Sequence, residues 1–490
     1  MRIRELAGWA GVGALLLGGC SVGGDPDTPA PSSPTGSAGA RASEGSAVEP
    51  DGRALDQAVS EPVEDRLYPN VGDPGVDALH YRLDLAWSPQ SRTLDGVETL
   101  VFRATEDAER FQLDFGEPLT VSGLTVDGKD TDFREDGKDL VVRTRVVADR
   151  RYVVAIRYSG TPETVPAPTT RTDFDSLGWV VTGSDETWTM QEPYGAFTWY
   201  AVNDQPSDKA LYDFTITTPA PWVGVANGQL LSREDVDGDT VTEWHLDEPA
   251  SSYLVTVAIG DFRMTKDRSG GGVPLTYWTP RGDVHAARSL RVGGGLLDWL
   301  EERLGPYPFS SFGILVVDSL SGIETQTMVT LGNNDYILSP QVILHEMSHQ
   351  WYGDRVTPRD WRDLWMSEGM ATYLQATWES EQGRSMQEQV DSWAALDQEI
   401  RDESGPPADY DPSTFGETNV YTSPALMWDQ LRKRIGDDLF WELVRRWPED
   451  HDNENAAYDE ITAWWSDETG EDLQPFFDDW LLGEETPDLI

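Results

Sequence analysis

An α+β fold of two unlike halves is predicted for this 490-residue chain: an N-terminal antiparallel β-sandwich or saddle, then a mostly helical domain. Three observations predict it. Short runs that alternate apolar and polar residues, divided by turn signals, fill residues 71–264. After Pro280 the apolar period changes to helical. Between them lies Ser269-Gly270-Gly271-Gly272, the composition of a boundary. With 20 Trp, 16 Tyr and 14 Phe, both halves have ample apolar bulk for a core.

The chain opens Met1-Arg2-Ile3-Arg4 and continues apolar from Leu6 to Gly19. A charged start and a short apolar stretch form an export signal, too short for a membrane span. Leu17-Gly18-Gly19-Cys20 resembles the bacterial lipobox, in which cleavage before the cysteine is followed by lipidation of its thiol. Cys20 is the only cysteine, so no disulfide within the chain is possible. Residues 1–19 are therefore expected to be a lipoprotein signal peptide and Cys20 the lipid-bearing mature N-terminus. Residues 20–60 are rich in Pro, Ser, Gly, Ala and acidic residues. Such composition cannot offset its ordering entropy by burial and predicts a flexible tether of roughly 35 Å reach. The expected location is the extracytoplasmic face of a cell membrane, held there by lipid alone.

Residues 61–270 are assigned to the β domain and 271–490 to the helical one. Tyr81-Arg82-Leu83-Asp84-Leu85 alternates, as does Leu140-Val141-Val142-Arg143-Thr144. Further strands are expected at Tyr152–Tyr158, Phe214–Thr217 and Tyr253–Ile259, with turns at Asp127-Gly128 and Asp237-Gly238. Helices are expected near 284–303, 340–352, 360–383, 386–403, 424–436 and 455–467, with one strand at Gly313–Val317. No internal repeat is visible.

The net charge is −50, from 87 acidic and 37 basic residues. That balance repels phosphate backbones and excludes nucleic-acid binding as a function class. It suits either attraction of cationic substrates or a well-solvated surface, including one adapted to salt.

His345-Glu346-Met347-Ser348-His349 lies in the helix-compatible run Val342–Tyr352. Residues four apart on a helix are separated by roughly 40° of rotation, so both imidazoles can reach one ion. Glu346, one step round, reaches instead a water on the ion's open side. Two histidines on a helix with an intervening glutamate form the zinc metalloprotease arrangement. A catalytic zinc takes three protein ligands and keeps one open position. Glu368, in Asp363-Leu364-Trp365-Met366-Ser367-Glu368-Gly369-Met370-Ala371, supplies the third. The other histidines, His80, His245, His285 and His451, stand alone.

That spacing and the Trp-x-x-Glu-Gly-x-Ala surround of Glu368 resemble the aminopeptidase N family of glutamate-ligated zinc peptidases. His349-Gln350-Trp351-Tyr352-Gly353-Asp354 resembles the family's continuation of the histidine helix. The resemblance covers nearly everything after residue 60. It implies a thermolysin-like catalytic domain, one Zn2+ per chain held by His345, His349 and Glu368, and Glu346 as general base. It also implies peptide substrates with a free N-terminus. Ser321-Gly322-Ile323-Glu324-Thr325 matches the family's Gly-x-Met-Glu-Asn motif only in part, and Glu324 corresponds to the glutamate that holds the substrate's amino group. A second amine contact corresponds to Gln191 or Glu192 in Trp188-Thr189-Met190-Gln191-Glu192-Pro193. Tyr421, in Tyr421-Thr422-Ser423-Pro424-Ala425, corresponds to the tyrosine that assists the tetrahedral intermediate. The large helical C-terminal domain of many relatives is expected to be absent after Trp480, leaving a more open cleft. Two other readings stay open: a zinc endopeptidase on the same scaffold, and a non-catalytic surface-binding lipoprotein.

Overall fold

Alternation along the strand Val76–Ser88 buries Leu83, Leu85 and Trp87 and turns Arg82, Asp84 and Ala86 outward. Each such apolar side chain contributes about 1.5–3 kcal/mol on burial, which fixes the strand's register. In the computed structural model, which describes residues 52–490, this strand sits inside an eight-stranded sheet. It pairs in parallel with Lys209–Pro219 and antiparallel with Thr93–Ala104, and the remaining pairs are antiparallel. A five-stranded sheet containing Ser176–Val181, Thr187–Met190 and Val257–Gly260 shares one apolar core with it. The turn pairs Asp127-Gly128 and Asp237-Gly238 all have positive φ, as two-residue hairpins require. The run Tyr253–Ile259 is only partly strand: a 3₁₀ turn, Ser252–Leu254, precedes Val257–Gly260.

The signal segment and most of the tether lie outside the described residues. The tether expected to run to residue 60 ends sooner, because Leu55 and Ala58 are buried against Leu79 and Leu211. Ser269–Gly272 is likewise no break between domains. It turns the hairpin Phe262–Arg268 to Pro274–Pro280, which joins Phe312–Val317, Met328–Gly332 and Gly322–Ile323 in the second domain's sheet. That sheet therefore begins near Phe262. The local turn signal was real, but the pairing of the strands on either side is a tertiary fact.

Helices share an apolar core with this sheet: Gly293–Leu304, Pro340–Ser348, Leu364–Glu381, Met386–Ser404, Thr422–Ile435, Asp437–Asp450, Tyr458–Thr469 and Gln474–Leu481. Asp437–Asp450 lies outside the predicted segments, although Phe440, Leu443, Val444 and Trp447 give it a buried stripe at helical spacing. Leu344, Met347, Trp351, Trp365, Met370, Trp428 and Trp465 belong to a second apolar core. Among the described residues no helix is long and apolar enough to cross a membrane.

Candidate metal centre and active site

Pro340 starts the histidine helix, where its missing N–H costs nothing. Val342, Ile343, Leu344 and Met347 are buried, so apolar packing rather than amphipathicity holds this helix. The regular helix ends at Ser348, four residues before the predicted end. His349 nevertheless keeps helical dihedrals, φ −61° and ψ −23°, so the one-face spacing of the two imidazoles survives. Glu368 sits in the second turn of Leu364–Glu381. The residue after it must be small: a Cβ on Gly369 would fall 2.6 Å from the ring of Pro424, where the helix Thr422–Ile435 crosses.

These elements bring the three ligand candidates together. Glu368 Oε2 lies 3.1 Å from His345 Nε2 and 3.4 Å from His349 Nε2. Tetrahedral donors each about 2.05 Å from one ion stand about 3.3 Å apart, so the set fits zinc. Nδ1 of His349 lies 3.1 Å from the Tyr352 carbonyl. A carbonyl only accepts, so Nδ1 carries the proton and Nε2 keeps its lone pair for the metal. Burial raises the Glu368 carboxyl, but the charge and hydrogen bonds of His349 and His345 outweigh it and hold it below the usual carboxylate range. The donors are nearly inaccessible, which suits a tightly held ion.

Glu346 does not join this triad. A Cβ on Gly322 would lie 2.7 Å from Glu346 Oε1, so the edge strand Gly322–Ile323 passes directly over the carboxylate. Burial, aided by Glu324 and Glu368 and opposed by His349, pushes Glu346 up to about 8. A dication at the triad would draw it down again and favour the ionised form that a general base requires.

Glu324 follows the same edge strand and is buried. Carboxylate oxygens of Glu192, Glu324 and Glu368 fall within 4.8 Å of one another. Burial, then the charges of Glu324 and Glu368, push Glu192 well above the usual carboxylate range. Glu192 Oε1 is buried without a hydrogen-bond partner among the described residues. Gln191 points elsewhere. Its amide donates to the Ser252 and Val255 carbonyls at 2.6 and 2.9 Å and accepts from Trp199 Nε1 at 2.8 Å, inside the β domain. Of the two candidates left open by sequence, Glu192 is the one beside the metal set.

Tyr421 stands at the N-terminus of Thr422–Ile435, its ring stacked 6.2 Å from that of His345. Burial, reinforced by Glu368, raises its phenol well above the ordinary value, so it is a neutral donor. The phenolic oxygen accepts from Arg171 Nη1 at 3.1 Å. No motif marks Arg171; it reaches the site from the β domain, 250 residues away in sequence.

Gln350, next to His349, braces the floor. It donates to the Glu324 carbonyl at 3.0 Å and to Asp354, and accepts from the Thr327 N–H at 2.9 Å. Buried Lys209 of the β domain donates to the carbonyls of Asp354 and Arg355 at 3.0 and 3.1 Å.

Comparison with known proteins agrees with this geometry. The "Peptidase M1 N-terminal domain" model matches residues 77–254 and the "Peptidase family M1 domain" model residues 290–480. Aminopeptidase N of Streptomyces lividans is 24% identical over 444 residues, covering 83% of this chain and 50% of that protein. Aminopeptidase N of Lactobacillus helveticus is 24% identical over 441 residues, covering 82% and 50%. The chain thus spans about half the length of the curated relatives it matches. Among solved structures, an M1 zinc metallopeptidase of Deinococcus radiodurans superposes with a TM-score of 0.79 at 23% identity, covering 87% of this chain and 98% of that one. A variant of it bound to a Tyr-Ser-Ala substrate gives 0.77 at 24% identity, covering 87% and 99%. Both domain models match in order and the matched region contains the converging His-His-Glu set: the chain belongs to peptidase family M1.

Proposed function

We propose that the protein is a zinc-dependent aminopeptidase that removes the N-terminal residue from peptides. The observation that carries this reading is the pair Glu192 and Glu324 beside the metal triad. With Glu368 given to the metal, Glu192 and Glu324 are left as two acidic side chains beside it, and a cation between them would favour their ionised forms. A substrate ammonium is that cation, and an anion fixed beside the metal makes an enzyme count from the chain end. The aminopeptidases among the relatives support the same reading.

When bound by His345, His349 and Glu368, zinc supplies Lewis-acid polarisation and a lowered pKa for water. Glu346 takes the proton from the attacking water and later gives it to the leaving amine. Tyr421 donates to the oxyanion that develops at the scissile carbonyl. Glu192 and Glu324 hold the ammonium, which sets the first peptide carbonyl over the triad. A time course with an unblocked decapeptide checks the reading: mass spectrometry should find products shortened from the N-terminus one residue at a time. Internal fragments at early times would favour the endopeptidase alternative.

The motif at Leu17–Cys20 supports a lipoprotein tethered outside the membrane by Cys20. Cys20→Ser is expected to move the protein from the membrane fraction to the soluble or secreted one. Unchanged membrane association would reject the lipid anchor.

A further inference from the structure

A segment of the β domain is clamped onto the chain just ahead of Tyr421. Thr169 Oγ1 donates to the Phe415 carbonyl at 2.7 Å, and the Phe415 N–H donates to the Pro168 carbonyl at 3.0 Å. Thr170 is hydrogen-bonded to Glu417. Arg171 closes the clamp: its Nη1 donates both to the Gly416 carbonyl, at 2.9 Å, and to Tyr421 Oη, at 3.1 Å. Its Nε donates to Asp173 at 3.0 Å, its Nη2 binds the same carboxylate, and the guanidinium lies 4.4 Å from the Phe174 ring centre. The side chain keeps only 16% of its exposure, so it is held from several sides rather than waving over the cleft.

We propose that Arg171 is a positioning residue for Tyr421: it fixes the direction of the phenolic proton and strengthens it as a donor. The inference rests on the role given to Tyr421 above. A guanidinium has donors and no acceptor, so the phenol oxygen must accept and its own proton must turn away from Arg171. The other charges around the phenol include those of Glu368, a metal ligand, and Glu192, at the amine site. A bond from a cation onto the oxygen polarises the O–H, and chained hydrogen bonds reinforce one another. Asp173 neutralises the cation, so Arg171 is orienting a dipole more than adding charge to the cleft. A donor whose proton is already aimed pays no reorientation when the oxyanion forms.

The test is a double-mutant cycle of Arg171→Gln and Tyr421→Phe, read as kcat and KM on one peptide, with zinc content and Tm measured on each variant. Arg171→Gln is expected to lower kcat about tenfold with little change in KM and full zinc. In the Tyr421→Phe background the same substitution is expected to cost less than about twofold. Arg171→Lys should recover part of kcat, and it carries the cycle if Arg171→Gln does not fold. Equal losses in both backgrounds would overturn the proposal. So would a loss confined to KM that disappears when the peptide's C-terminal carboxylate is amidated, since Arg171 would then be a substrate clamp. Wild-type kcat in Tyr421→Phe alone would instead reject the role of Tyr421, a distinguishable failure.

Discussion

Glu346→Gln is expected to keep its zinc and lose nearly all hydrolysis. Gln has almost the same shape, so the close passage of the edge strand at Gly322 is preserved. The amide cannot take a proton from water or return one to the leaving amine. General acid–base work contributes about 10²–10⁴-fold, and one group serving both transfers places the loss toward the upper end. His349→Ala makes the opposite separation. It removes a ligand, and metal analysis should find about one equivalent less zinc than in the wild type. Turnover at the wild-type rate in Glu346→Gln would contradict the assigned base, and equal zinc in His349→Ala the assigned ligand.

Glu324→Ala is expected to lower kcat/KM on unblocked aminoacyl substrates by about ten- to a hundredfold with zinc retained. A hydrogen bond to a charged group is worth about 1.5–3 kcal/mol, and each 1.36 kcal/mol is a factor of ten. Truncation also relieves Glu192 of a like charge, so no loss of fold stability is expected from the cluster itself. A purely structural glutamate would behave the other way, with stability falling and the rate constant of the folded fraction unchanged. Glu192→Gln should resemble Glu324→Ala in direction, since it leaves the ammonium one carboxylate short.

The metal set was readable in the sequence because helix geometry makes spacing a statement about space. His345 and His349 share a face by their separation alone, and Glu368 falls into place in the next helix. The two hairpin turns were equally legible, since Asp-Gly selects a turn type locally. What escaped depends on contacts distant in sequence. Gln191 and Glu192 are adjacent, and only Trp199 and the carbonyls of Ser252 and Val255 decide which one is occupied inside the domain. Arg171 has no spacing relation to Tyr421; the two meet because the strand-flanking loop at Thr169 binds the backbone at Phe415. The glycine run at Ser269–Gly272 gave a true turn and a false boundary, because strand pairing across it is nonlocal. Leu55 and Ala58, two small anchors in polar surroundings, were too weak a pattern to mark the start of the packed chain.

The central claim is that a carboxylate pair beside a zinc site selects peptides by their free ammonium. It is tested most directly by kcat/KM for one peptide with its N-terminus free and acetylated. Acetylation removes the charge and leaves the rest of the substrate intact. Cleavage of the free peptide and none of the acetylated one, beyond about a hundredfold difference, is the predicted result. Equal rates on the two would contradict it and assign the site to an endopeptidase.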